Sequence, residues 1–212
     1  MTNSKHPVVF TVTDEAGGSG VDLTTLVVKQ DGTAVASNTI ATTAITNGYS
    51  VTYTPAEALG DGSHTVTVDI KDHDGNAADQ KSTTYTVDTV PPALNVTDPT
   101  DNLVTSQAAL TVSGTTNDAT SSPVTVTVRL NGADQGAVTV SADGAFAKSI
   151  TLEEGSNTIV VTATDAAGKI SSVTRTVKLD TSVPVITAAS ITPNPADAGA
   201  TVIISVTITE GA

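Results

Sequence analysis

The stretch Asp88-Thr89-Val90-Pro91-Pro92 returns in altered form as Asp180-Thr181-Ser182-Val183-Pro184. The copies start 92 residues apart, the size of a small all-β domain, so the chain reads as modules in series around separate cores. Each copy closes a strand rich in threonine and valine and opens the next module. Proline has no N–H for a sheet ladder and biases its predecessor towards extended backbone, which predicts a short, stiff connector. The boundaries that follow are residues 1–88, 89–181 and 182–212.

The second halves of the first two modules match at a constant offset. Gly62-Ser63-His64 corresponds to Gly155-Ser156-Asn157, Val66, Val68 and Ile70 to Ile159, Val161 and Ala163, and Asp72-x-x-Gly75 to Asp165-x-x-Gly168. Turns correspond as well: Asp31-Gly32 with Asn131-Gly132, and Asn47-Gly48 with Asp143-Gly144. Between the turns the residues alternate, as in Val8-Val9-Phe10-Thr11-Val12 and in His64 to Ile70, the mark of strands with one buried and one wet face. After an acidic, glycine-rich loop over 14–22, a further strand is expected from Leu26. Threonine supplies 40 of the 212 residues, aromatic residues only 2%, and helical periodicity is missing, so the fold class is all-β.

The third stretch holds two strands, Ile186 to Ile191 and Val202 to Glu210, around a Pro193-Asn194-Pro195 turn. Aligning Val206-x-Ile208 with Phe10-x-Val12 makes the chain begin at the second strand of one module and end at the second strand of another. Either the sequence is a piece cut within the repeats, the reading we favour, or a strand arrives from elsewhere, such as another copy by strand addition. The opening Met1-Thr2-Asn3-Ser4-Lys5 suits a fragment start.

A net charge of −13, from 9 Lys and Arg against 22 Asp and Glu, argues against a nucleic-acid partner. Cysteine is absent, which removes disulfides and thiolate–metal frameworks and leaves the compartment open on that count. No apolar run approaches a membrane span, and no export signal stands at the start.

The strand ending Thr164-Asp165-Ala166-Ala167-Gly168, the final strand closed by Asp88-Thr89-Val90-Pro91-Pro92, and Phe10-Thr11-Val12-Thr13-Asp14 with Gly18-Ser19-Gly20-Val21-Asp22 resemble the tandem bacterial immunoglobulin-like repeats of large cell-surface proteins and adhesins. The resemblance covers essentially the whole chain. It implies antiparallel β-sandwiches arranged in line, an extracellular or bacterial-surface location, and a spacer or stalk role. In several branches of the family it also implies Ca²⁺ at the junctions.

In such a sandwich the loops at the chain's entry end face the preceding module. Asp88 of the linker should therefore meet Asp165 and the pair Asn117-Asp118, a set of hard oxygen donors suited to Ca²⁺. Asp14, Asp22, Asp72 and Asp74, with Glu15 nearby, form the corresponding set of the first module, and Asp180 with Glu210 that of the second junction. The competing account is that these acids only cap turns. An EF-hand beginning around Asp72-x-Asp74-Gly75 fails, because its first ligand would be Ile70 and its twelfth Lys81.

Catalysis has little support. His6, His64 and His73 stand in no nucleophile or zinc motif, and Glu153-Glu154 suits a solvated turn. The aromatics Phe10, Tyr49, Tyr53, Tyr85 and Phe146 suit strand packing better than a sugar-binding platform. The function expected is a structural spacer, possible alternatives being an adhesive or carbohydrate-binding module or the subunit of a strand-exchanged filament. Partners are neighbouring modules of the same parent chain.

Overall fold

The computed structural model describes residues 5–210. Met1 to Ser4, read above as a fragment start, lie outside the described residues.

The first module contains β1 (Val8–Thr13), β2 (Val21–Gln30), β3 (Thr33–Ala34), β4 (Ile40–Ile45), β5 (Gly48–Tyr53), β6 (Gly62–Asp72) and β7 (Lys81–Val87). They form two sheets, ordered β1-β5-β4 and β3-β2-β6-β7. The β2–β3 hairpin turns on Asp31 (φ 51°) and Gly32 (φ 80°), left-handed positions that Asp and Gly tolerate. Sequence placed the second strand from Leu26, yet β2 starts at Val21. Val21 and Asp22 pair with Asp72 and Lys71, and the ladder then slips until Val27. The slip is folded by Asp22, whose Oδ1 accepts both the N–H and the hydroxyl of Thr24.

The second module contains β8 (Ala93–Asp98), β9 (Leu103–Thr105), β10 (Ala109–Asn117), β11 (Thr125–Leu130), β12 (Ala133–Asp134), β13 (Ala145–Thr151), β14 (Gly155–Thr164) and β15 (Ile170–Leu179). Its sheets are β13-β10-β8 and β12-β11-β14-β15-β9. Val112, Val128, Ile159, Val161 and Val177, alternating along their strands, are fully buried between the layers. β8 lies close against β10 at Gly114, where a Cβ would meet Asn95 O at 2.1 Å. Arg175 fastens the same strand, donating to Val96 O (3.1 Å) and Pro99 O (3.2 Å).

The two cores differ in size. Thirteen buried apolar residues form one cluster in the second module, against Val28, Tyr53 and Val66 in the principal cluster of the first. Part of the difference lies at the edge of β1. Among the described residues β1 pairs only with β5, whereas its counterpart β10 has β13 on one edge and β8 on the other.

Two further strands, β16 (Pro184–Thr192) and β17 (Ile203–Glu210), form an antiparallel pair in which every residue is exposed. They occupy the chain positions of β8 and β10, one repeat later.

Candidate metal centre

Each of three aspartates directly follows the end of a strand. Asp88 follows β7 and belongs to the linker, while Asp118 follows β10 and Asp165 follows β14, both in the second module. All three are buried, at 0%, 9% and 5% exposure. One carboxylate oxygen from each lies within 4.8 Å of the others.

The local chain explains how these groups are held. Asp88 Oδ1 accepts the Val90 N–H (3.1 Å), turning the linker towards its prolines. Asp118 Oδ1 accepts from Thr120 N (2.8 Å) and Ser121 N (2.7 Å), and Asp165 Oδ1 from Lys169 N (2.8 Å). Ser121, itself fully buried, ties the two loops together: its carbonyl accepts the Ala166 N–H and its Oγ the Ala167 N–H. Ser171 Oγ donates to Pro92 O at 2.6 Å, fixing the linker's arrival against β15.

At Asp88 and Asp165 these turn contacts engage only one carboxylate oxygen. Asp88 Oδ2 and Asp165 Oδ2 are buried with no hydrogen-bond partner. Native interiors seldom leave a polar atom in that state, and a buried carboxylate without compensation is costlier still. The ion pairs among the described residues, Lys29–Asp69, His64–Asp31 and Lys178–Asp180, all lie elsewhere. Two carboxylates at this separation repel by about 3 kcal/mol per pair at an effective dielectric of 20. A hard divalent cation removes both problems together. The donor set, carboxylate oxygens from three separate loops, fits the chemistry of Ca²⁺.

The remaining predicted ligands are placed differently. Asn117 closes β10 with an exposed side chain. In the first module Asp14 follows β1 as Asp118 follows β10, and Asp72 corresponds to Asp165. Their oxygens are taken up locally: Asp14 accepts from the Glu15 and Gly20 N–H groups, and Asp72 from both the N–H and the side-chain amide of Asn76. These bonds hold both carboxyls below the usual range, the interaction with Glu15 dominating at Asp14 and that with Asn76 at Asp72. Lys169 stands where Asn76 does, so Asp165 Oδ2 has no such amide. Asp22 is spent on its own turn with Thr24, and Asp74 is exposed beside Asp72. At the second junction Asp180 pairs with Lys178 (2.8 Å), while Ser182 Oγ bridges Asp180 and Glu210. The Lys178 ammonium, assisted by Ser182, holds the Asp180 carboxyl at about 2. Where the first junction gathers carboxylates, the second neutralises its linker aspartate with a lysine.

Two linker contacts were not foreseen. Asp61 accepts from both the N–H (2.8 Å) and hydroxyl (2.9 Å) of Thr89, and Glu154 accepts from the same two groups of Thr181. Glu154 therefore fastens a linker instead of merely facing solvent. The signal was present in sequence, as an acid directly before Gly62 and Gly155 paired with the threonine of each linker motif. Tyr53 is buried, and Tyr85 packs beside His64 and donates to Gln30 Oε1.

Residues 1–89 match the family model described as bacterial Ig-like domain, and residues 92–181 that described as glucodextranase, domain B. No curated protein matches the chain. Solved structures similar to it include the fibronectin(III)-like modules of Clostridium thermocellum CbhA, with 17% identity over 84% of this chain and 87% of that one and a TM-score of 0.47. A tetra-tandem repeat from the extending region of a large adhesion protein is 19% identical over 98% of this chain and 62% of that one, with a TM-score of 0.37. Sidekick-1 immunoglobulin domains 1-5 are 10% identical over 100% of this chain and 46% of that one, with a TM-score of 0.45. The model matched by residues 1–89 belongs to a family typical of extracellular and surface proteins, and the paired antiparallel sheets of the two modules give the fold as immunoglobulin-like β-sandwiches in tandem. No helix among the described residues is long and apolar enough to cross a membrane.

Proposed function

We propose that this chain is a non-catalytic spacer segment of a bacterial surface or secreted protein, with Ca²⁺ fixing the first module to the second. The observation that carries the reading is the convergence of Asp88 with Asp118 and Asp165, two of the three presenting a buried oxygen that no protein group satisfies. When bound, the ion supplies the positive charge that three gathered carboxylates lack.

The chain's own residues do the rest. Asp88 brings its carboxylate from the linker, and Asp118 and Asp165 bring theirs from the next module, so the set closes only when the modules are docked. Val90 N–H, Ser121 and Lys169 N–H orient the three groups beforehand. Pre-orientation lowers the entropic cost of assembling ligands from separate loops. The mechanical result is a junction that resists bending, because rotation of one module pulls a carboxylate out of the set.

Isothermal titration of the metal-free chain with Ca²⁺ tests this directly. One saturable site that disappears in Asp88→Asn and in Asp165→Asn supports it; unchanged binding in both variants removes the junction as the site.

A further inference from the structure

We propose that the His64 ring is a proton-operated latch on the first linker: doubly protonated, it holds the loop through which Asp61 grips Thr89, and on losing one ring proton it lets that grip go. The second module carries the same grip on its own linker without the latch.

Asp61 stands between two glycines, Gly60 and Gly62, where the chain enters β6. Its carboxylate accepts the N–H and the hydroxyl of Thr89, at 2.8 and 2.9 Å, just beyond the end of β7. A loop with glycine on both sides has little stiffness of its own. A Cβ at Gly60 would meet no atom within 4 Å, so the peptide there has room to move. His64 is what fixes it. Nε2 lies 2.8 Å from Gly60 O, and Nδ1 lies 2.7 Å from Asp31 Oδ2. An imidazolium donates to both oxygens, whereas a neutral imidazole has a single N–H to give. The carboxylate is the stronger acceptor, so the remaining proton stays on Nδ1. Nε2 then presents a lone pair to the Gly60 carbonyl oxygen, and the loop is repelled where it was held.

Asp31, from the β2–β3 turn, is the charged group that faces the ring. From β7, Tyr85 lies beside it with ring centroids 6.0 Å apart, and from β5, Tyr53 senses the Asp31 charge. Burial above all holds both phenols above their ordinary 10, so they stay neutral where the ring titrates. On β2, Lys29 is engaged with Asp69 at 3.6 Å. The Asp31 hydrogen bond lifts the ring above its ordinary 6.5, which places release on the rising side of that value.

In the second module Glu154 grips the N–H and hydroxyl of Thr181 at 3.2 and 2.7 Å. The loop there is held by Asn157, whose Oδ1 accepts the Glu153 N–H at 3.0 Å and whose Nδ2 donates to Glu153 O at 2.7 Å and Gly155 O at 3.1 Å. A primary amide keeps its donor and its acceptor at every pH. The first linker is thus gated by a proton and the second is not.

The experiment is amide hydrogen exchange followed by NMR on the full chain, in EDTA, from about pH 5.5 to about pH 8.5, the range around which a histidine changes charge. Rates are converted to protection factors, which removes the base dependence of exchange itself, and the His64 ring is titrated in the same sample. Expected at Thr89 is a loss of protection of about five-fold or more, the factor one ordinary hydrogen bond is worth, beyond any loss in the β6–β7 ladder. Its midpoint should coincide with that of the His64 ring. Thr181 should stay level, as should Thr89 in Asp31→Asn/His64→Asn, which installs the second module's pair. A Thr89 amide that keeps its protection throughout overturns the proposal. So does one that falls only in step with the ladder, one that still titrates in the variant, or a Thr181 that follows the same curve. The wild-type comparison of Thr89, Thr181 and the ladder decides even without the variant, and working in EDTA keeps the outcome separate from the calcium reading.

Discussion

His64 Nδ1 lies 2.7 Å from Asp31 Oδ2, at the position where the second module sets Asn157 3.2 Å from Asn131. The two pairs hold the same turn: Asp31 Oδ1 accepts the Thr65 N–H, and Asn131 Oδ1 accepts the Thr158 N–H. His64 Nε2 meets Gly60 O at 2.8 Å, as Asn157 Nδ2 meets Glu153 O at 2.7 Å. Both partners of the His64 ring are acceptors, so both bonds form only when the ring is doubly protonated. The Asp31 hydrogen bond, followed by that to Gly60, raises the His64 pKa above its ordinary 6.5. At Asp31 partial burial pushes upward, but the bonds from His64 and Thr65 outweigh it and the net shift is downward.

The sign follows by linkage. The His64 contribution is complete below pH 6.5 and is lost as pH rises through the elevated folded value; the Asp31 contribution is lost as pH falls through its lowered one. The first module should thus melt at lower temperature as pH rises above neutrality, with Asp31→Asn/His64→Asn flattening the dependence. Melting temperatures collected across pH decide the matter, and a profile unchanged by the double substitution contradicts it.

The unequal cores predict two thermal transitions. Ile159 is fully buried in the second module, and Ile159→Ala should cost about 2–5 kcal/mol there. In metal-free buffer, calorimetry should show the first module melting first and Ile159→Ala shifting only the later transition.

The linker threonines are clamped at two successive junctions by the same device. Removing one hydroxyl in Thr89→Val should lower stability by about 1 kcal/mol, as for other single hydrogen bonds. Such a loss moves the melting temperature of a module of this size by roughly 4–8 °C. Asp61→Ala should do at least as much, because it also strips the Thr89 N–H of its acceptor.

Asp88, Asp118 and Asp165 were legible because a strand-ending acid recurs in each repeat and the fold sends those ends to one place. What alternation could not show is which oxygens local turns consume. Asp72 and Asp165 share a position and a turn, yet Asn76 satisfies the first completely while Lys169 leaves an oxygen of the second without a partner. Side-chain identity four residues downstream decides it. The early start of β2 was hidden for a related reason, since Asp22 and Thr24 form a bulge that interrupts the period-2 pattern. Glu154 was read as solvated because its partner Thr181 lies 27 residues away in sequence.

The most direct measurement of the central claim is the melting temperature of the second module for wild type and Asp165→Asn, each in EDTA and in Ca²⁺. Replacing a buried carboxylate by a neutral amide removes repulsion when metal is absent and removes a ligand when it is present. The account therefore predicts opposite signs: Asp165→Asn more stable than wild type in EDTA, and less stable in Ca²⁺. A substitution effect of the same sign and size in both buffers would contradict a cation-linked junction.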